Sequence, residues 1–145
     1  MAGTIVADTI QADSTSTLVL KNGVANTPPT IQDSAGTQIG TFCRAWVNFN
    51  GTTNTGGFCT IRASFNVTSV ADNGTGNYTV NFTNAMPDAN YSIAQTLFAQ
   101  SSSNDGGVAV IAWGTTPSTT SFNMVTDQRA AGEYDPTIVC FSVFR

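Results

Sequence analysis

The chain has 145 residues, of which only 10% are charged, compared with about 25% in an average globular domain. Apolar residues make up 41% of the chain, which is enough for a hydrophobic core and excludes general disorder. The net charge is −4 and the five basic residues are scattered, so we expect no binding to nucleic acid or to an anionic membrane. Histidine is absent, which removes the commonest general base and metal ligand. We therefore expect no enzymatic activity, no metal and no cofactor.

Neither a membrane span nor a secretion signal is indicated. The longest apolar runs fall far short of the roughly 18 residues that a spanning helix needs, and the N-terminus lacks the charged and apolar regions of a signal peptide. We expect a soluble protein that is not secreted.

The three cysteines, Cys43, Cys59 and Cys140, have no metal-binding spacing. We expect free, buried thiols, with a Cys43–Cys59 bridge as the alternative.

Residues 1–40 differ from the rest of the chain because they contain no aromatic residue. A segment of this composition cannot build its own core, yet it carries regularly spaced aliphatic residues. We predict an extended N-terminal arm that binds a partner surface, and an unstructured tail is the alternative. The residues expected to anchor the arm are Ile5, Val6, Ile10, Leu18 and Leu20.

Residues 41–145 form the predicted body, in which strand patterns follow one another. Apolar residues occupy the odd positions of residues 43–49 and again of residues 59–67, which indicates two half-buried strands. Residues 50–57 between them are rich in Asn and Gly, so they predict the turn of a hairpin.

Five further strands are predicted along the body, and no segment shows a helical period. They are expected near residues 78–82, 91–99, 108–113, 121–125 and 137–144. The predicted fold is all-β: a compact antiparallel β-sandwich preceded by the extended arm.

Several of these strands are apolar on both faces. A small sandwich buries only one face of each sheet, so the other face needs a second partner. We predict a homotrimer, and a monomer with exposed aromatic side chains is the alternative. The residues expected to pack between or within subunits are Phe42, Trp46, Phe141 and Phe144.

The candidates for chemistry are weak. Asp127, Arg129, Glu133 and Asp135 share one predicted loop, but such acidic loops are usually solvated, so we do not expect glycoside hydrolysis. Fragments of calcium-loop patterns at residues 72–74 and 104–107 lack the remaining ligands and predict tight turns.

Aromatic rings of the body offer a second kind of candidate site. Tyr78, Tyr91, Trp113 and Tyr134 could form a platform on which a sugar stacks. Packing in the core or at an interface explains these four rings equally well and is the favoured interpretation.

Several motifs of the body resemble the repeated module of tailed-phage fibre proteins, especially those of cyanobacterial and marine phages. They lie at residues 43–51 (CRAWVNFNG), 61–64, 72–82 (DNGTGNYTVNF), 85–91 and 139–145. Residues 2–10 and 29–37 are similar to the beginnings of short phage fibre or head-decoration proteins. The resemblance implies a homotrimeric, β-rich virion protein without enzymatic activity, made in the host cytoplasm.

The chain has no shaft between the arm and the body, which a long receptor-seeking fibre would need. This favours a decoration (cement) or short fibre protein whose arm binds major capsid or tail proteins. The alternative is a receptor-binding fibre tip that recognises host surface glycans through residues 50–57, 101–107 and 127–136.

Overall fold

The computed structural model describes residues 30–98, 107–128 and 132–145, and these ranges are all-β. The strands are β1 (Ile31–Gln32), β2 (Gln38–Gly40), β3 (Cys43–Thr55), β4 (Phe58–Phe65), β5 (Val67–Gly74), β6 (Asn77–Phe82), β7 (Ser92–Leu97), β8 (Gly107–Ile111), β9 (Ser121–Gln128), β10 (Gly132–Glu133) and β11 (Val139–Phe144). Within the described ranges no helix is long and apolar enough to cross a membrane.

The main sheet is antiparallel throughout and curls back on itself. Its strand order is β8-β9-β6-β5-β4-β3-β11-β7. The short β10 pairs with the end of β9, on the same side of β9 as β6. A single residue pair, Phe58 with Ala71, joins β4 to β5. At this weak junction the sheet bends, so that the half β7-β11-β3-β4 packs on the half β8-β9-β6-β5. The predicted antiparallel all-β class is confirmed, in a sandwich-like form.

Aromatic side chains fill the space between the two halves. Phe141 of β11 meets Phe122 of β9 with ring centroids 5.7 Å apart, and Phe49 of β3 meets Tyr78 of β6 at 5.2 Å. Both contacts are edge-to-face, an arrangement that places the positive ring edge against the negative ring face. These rings therefore connect the halves directly across the core.

The predicted alternation is confirmed in β3, where Ala45, Val47 and Phe49 are buried. In β4 the predicted alternation is wrong beyond Ile61. A bulge between Asn48 and Phe49 shifts the register of the β3–β4 pair by one residue. A one-residue shift moves the following side chains to the other face of the sheet. Ala63 and Phe65 are therefore exposed, although the pattern predicted them to be buried.

The predicted continuous strand over residues 59–67 is also interrupted. Asn66 has a positive φ of 55°, a conformation that asparagine tolerates better than most residues. Its side-chain amide donates to the carbonyls of Arg44 and Asn84, each at 3.1 Å. The chain reverses at this position, and Val67 begins β5 on the opposite half of the sheet.

The hairpin between β3 and β4 is confirmed, but its turn is shorter than predicted. Strand β3 continues to Thr55, and only Gly56 and Gly57 lie between the two strands. Side chains hold the hairpin end together: Asn54 Oδ1 accepts from the Gly57 amide at 2.9 Å, and Thr53 Oγ1 accepts from the Thr60 amide at 2.8 Å.

The last part of the predicted arm forms a small hairpin of its own, β1 with β2. Asp33 Oδ1 caps its turn by accepting from the amides of Ala35 and Thr37. The chain then enters the body beside its C-terminus, where the Thr41 hydroxyl donates to the Arg145 carbonyl at 2.9 Å. The five predicted anchor residues, Ile5, Val6, Ile10, Leu18 and Leu20, lie outside the described residues.

All three cysteines are free thiols, so the alternative Cys43–Cys59 bridge is wrong. Cys59 is buried, as predicted, whereas Cys43 and Cys140 are half-buried. Cys140 points to the outside of β11 because its neighbours Val139 and Phe141 take the inward positions.

We expect truncation of Phe141 to Ala to lower the free energy of unfolding by about 3–5 kcal/mol, because it removes a buried ring that contacts both halves. Phe58→Ala is the matched control: this ring is exposed near the β3–β4 turn, so the loss should stay below about 1 kcal/mol. Urea denaturation at one fixed protein concentration measures both values. Equal losses would show that the inter-sheet rings do not dominate stability.

Candidate functional site

The outward side of β7-β11-β3-β4 is a sheet face made of aromatic and small side chains. Trp46 lies opposite Phe65 on one side and Ser142 on the other, and Ala94 follows Ser142. Trp46 is 38% exposed and Phe65 is 54% exposed. We call this surface the outer apolar face; its members are Trp46, Ala63, Phe65, Ala94, Cys140, Ser142 and Phe144.

The small residues of the outer apolar face leave part of Trp46 and about half of Phe65 exposed within the described residues. Ala63, Asn48 and Cys140 form the neighbouring cross-strand row, and none is long enough to cover Trp46. Apolar surface that is grouped in this way, unlike scattered exposed residues, marks an interaction site.

The cation beside this face is already bound within the chain. Arg62 Nη2 donates to the Thr137 carbonyl at 2.6 Å, and Nη1 donates to Asn48 Oδ1 at 3.3 Å. Arg62 thus has a backbone carbonyl and a side-chain amide as partners. The Arg62 charge thus joins β4 to the segment before β11.

The outward side of the other half has the opposite chemistry. Asn123 Nδ2 donates to Asn77 Oδ1 at 3.2 Å and to Thr79 Oγ1 at 3.1 Å. Asn73 Nδ2 donates to the same two oxygens, at 3.1 and 2.8 Å. This cross-strand ladder of amide and hydroxyl groups is compatible with water. The strands β6 and β9 thus present polar groups on their outward side, unlike the outer apolar face.

The four residues predicted to pack between or within subunits occupy different environments. Trp46 belongs to the outer apolar face, Phe144 is half-buried at its edge, and Phe42 is exposed just before β3. Phe141 is buried in the core of its own chain. It therefore packs within the subunit.

The four rings considered as a sugar platform are not brought together as one exposed surface. Tyr78 is fully buried, and Tyr91 is half-buried with its hydroxyl donating to the carbonyls of Ser118 and Ser121. Tyr134 is half-buried, whereas Trp113 is fully exposed just beyond β8. The packing interpretation favoured by the sequence is confirmed for Tyr78.

The structure describes three of the four residues in the candidate acidic loop. Asp127 and Glu133 face each other across the β9–β10 pair, and Arg129 lies outside the described residues. Asp135 Oδ1 accepts from the Tyr78 hydroxyl and from the Gly76 amide, both at 2.7 Å. No cluster of three or more potential metal-ligating His, Cys, Asp or Glu side chains occurs in the described parts of the chain.

The fragment of a calcium-loop pattern at residues 72–74 was predicted to be a tight turn, but it forms the end of β5, and the turn follows at residues 75 and 76. Asp72 Oδ1 accepts from the Gly74 amide at 2.9 Å, and Asp72 Oδ2 accepts from Asn54 Nδ2 at 2.8 Å. Both carboxylate oxygens are therefore engaged by the protein. Of the second fragment, residues 104–106 lie outside the described residues.

A buried polar network lies around Tyr78, at the end of the molecule opposite the chain entry. Burial and the hydrogen bond to Asp135 raise the pKa of Tyr78 well above its ordinary range. Glycine at position 51 leaves room for the Tyr78 hydroxyl, because a Cβ on residue 51 would lie only 2.5 Å from the hydroxyl oxygen. The network ties β3, β6 and the segment before β11 together.

Comparison with protein-family models, curated proteins and solved structures gives no match to this chain. The assignment of the outer apolar face as the candidate site therefore rests on the residues of this chain alone. Sequence patterns pointed to Trp46 but missed Phe65, because nothing in the strand periodicity marks the bulge that turns Phe65 outward.

The buried Cys59 predicts a loss of stability in alkali. Burial, with smaller contributions from Asp72 and Asp135, raises its pKa from 9.0 to about 12. Between these two pH values the folded state keeps the thiol proton while the unfolded state loses it. The contribution of Cys59 to the free energy of unfolding is therefore fully present below about pH 9 and is lost as the pH rises towards 12. For Cys59→Ala we expect the fall between about pH 9 and 10 to be smaller by about 1 kcal/mol.

Chemical denaturation of both proteins along a pH series measures this difference. Cys140, Tyr78 and Tyr91 also have raised pKa values, but they are common to both proteins and cancel in the comparison. Parallel stability curves for the two proteins would contradict the assignment to Cys59.

Proposed function

We propose that this chain is a non-enzymatic structural protein of a tailed-phage virion, a homotrimeric decoration or short fibre protein. The observation that carries the proposal is the outer apolar face, with Trp46 and Phe65 adjacent on a sheet that nothing in the described residues covers. The resemblance of the body motifs to phage fibre modules supports the virion as the setting. The N-terminal arm, residues 1–40, attaches the trimer to major capsid or tail proteins.

Self-association is favoured by the area that the outer apolar face would bury. Covering the exposed parts of Trp46 and Phe65 removes on the order of 200 Å² of apolar surface per subunit, about 5 kcal/mol at about 25 cal/mol per Å². The small residues Ala63, Ala94 and Ser142 allow close approach of a neighbouring sheet. Around a three-fold axis, each copy of the face packs against the faces of two sister subunits.

An interface of this kind agrees with the low charge of the chain. The cores of protein interfaces are depleted in charged residues and enriched in aromatic ones. Arg62, which lies beside this face, is bound to Thr137 and Asn48 of its own chain. The amide ladder at Asn77 and Asn123, on the outward side of the other half, remains in water.

The trimer predicts a mass of three times the 15.1 kDa chain in light scattering of the purified protein. Trp46→Glu with Phe65→Glu should give a folded monomer, because charges on this face repel across the axis and lose hydration. Thr68→Glu is the control: it adds one glutamate at an exposed strand position of the other half and should remain trimeric. A wild-type monomer at micromolar concentration would contradict the proposal.

Attachment through the arm is tested with Ile5→Asn, Val6→Asn and Ile10→Asn combined in the full chain. Polar substitutions remove apolar contacts with the virion without touching the body, so we expect trimers that no longer join particles. Immunogold electron microscopy of virions assembled with each protein measures incorporation.

Normal incorporation of this arm variant would contradict the role of the arm. Binding of the purified protein to host cells, without incorporation into particles, would instead favour the glycan-recognising alternative. For that function the fully exposed Trp113 would provide the stacking ring.

A further inference from the structure

Among the described strands, the main sheet ends in two edges that face each other. β7 forms one end of the strand order and β8 forms the other, and no residues of these two described strands pair with each other. At one end they nearly meet, since Leu97 Cδ1 lies 3.5 Å from the position of a Cβ at Gly107. The gap between the edges is therefore closed at this end only.

Towards the other end the edges diverge, and a cavity of about 220 Å³ opens between them. Ile93 and Gln95 of β7 line one side, and Ala109 and Ile111 of β8 line the other. Phe122 and Met124 of the core form its floor. We call this space the edge cleft; it is lined almost entirely by apolar side chains and reaches the hydrophobic core.

The β8 side of the edge cleft has the properties of a strand that needs a partner. Its sequence Gly-Val-Ala-Val-Ile contains no charge and no proline, the features that normally protect an exposed sheet edge. Val108 and Val110 are each more than half exposed on its outer side. Pairing with one more strand would satisfy the free backbone groups and cover these side chains.

The N-terminal part of the chain joins the body at the open end of the edge cleft. Cys43 at the start of β3 pairs with Phe144, and Phe144 pairs with Ser92 at the start of β7. Thr41 is bonded to Arg145 at the same end. Ile31 pairs with Gly40 in the β1–β2 hairpin, so the reach comes from residues 22–30. They can span up to about 30 Å at about 3.3 Å per residue, and a segment that precedes them can reach the cleft.

Residues 16–21, Ser-Thr-Leu-Val-Leu-Lys, have the composition that the cleft requires. Leu18 and Leu20 are two positions apart, so in a strand both side chains lie on one face and Val19 lies on the other. The covalent link also favours this segment over that of another molecule, because two sites joined in one chain meet at a high effective concentration.

We propose that residues 16–21 add to the free edge of β8 in the same chain, with Leu18 and Leu20 in the edge cleft and Val19 beside Val110. The added strand extends the sheet by one member and closes the access to the core. This inference does not depend on a virion. It assigns Leu18 and Leu20 to the body and leaves Ile5, Val6 and Ile10 for attachment.

Amide hydrogen exchange of the full-length protein, read by mass spectrometry, tests the proposal. In Leu18→Asn with Leu20→Asn, the amides of residues 108–111 should exchange at least about tenfold faster than in the wild type, because the edge loses its partner. Ile5→Asn with Ile10→Asn is the matched control and should exchange like the wild type. Equal exchange of β8 in all three proteins would overturn the proposal.

A synthetic peptide of residues 14–22 separates a direct contact from an indirect effect. Added to the Leu18→Asn, Leu20→Asn protein, it should restore slow exchange at residues 108–111, whereas a peptide with the same two substitutions should not. Failure of the wild-type peptide to restore protection at saturating concentration would overturn the proposal.

The concentration dependence of exchange identifies which molecule supplies the strand. For a segment of the same chain, protection in the wild type should stay constant over about a hundredfold range of protein concentration. Protection that disappears on dilution would mean that another copy donates the strand, and would overturn the assignment to the same chain. None of these results depends on incorporation into virions.

Discussion

The fold depends on aromatic packing between two halves of one sheet that are barely joined by backbone hydrogen bonds. Only the pair Phe58–Ala71 connects β4 with β5, so the ladder alone cannot hold the halves together. Edge-to-face contacts, above all Phe141 with Phe122, supply that connection through side chains. Because the halves are held from within, their far edges are not required to pair, and the edge cleft between β7 and β8 follows from the same arrangement.

The same packing explains why the two outer surfaces are free to differ. Once the inward positions of both halves are filled, outward positions contribute little to the fold and can serve other purposes. One outer surface uses them for an amide and hydroxyl ladder around Asn123 and Thr79, which suits water. The other presents Trp46 and Phe65, which suit a protein partner. The low charge of the chain thus reflects neutral polar groups on one side and an apolar contact surface on the other.

The two ends of the molecule also divide their roles. At one end the hydrogen-bond network of Tyr78 and Asp135 ties three segments together. At the other end the N-terminal segment enters beside Arg145, next to the open end of the edge cleft. Attachment, strand addition and self-association can therefore use surfaces that do not compete with the polar network for the same residues.

The sequence by itself determined the all-β class, most of the strands and the inward side chains of β3, because alternation with a period of two follows directly from strand geometry. It also pointed to Trp46 as an outward ring. Only the tertiary structure decided that Phe65 joins Trp46, since the bulge at Asn48 changes the face without changing the pattern of residue types. It alone decided that Phe141 belongs to the core, because β11 is apolar on both faces and only its neighbours β3 and β7 define which face is inside.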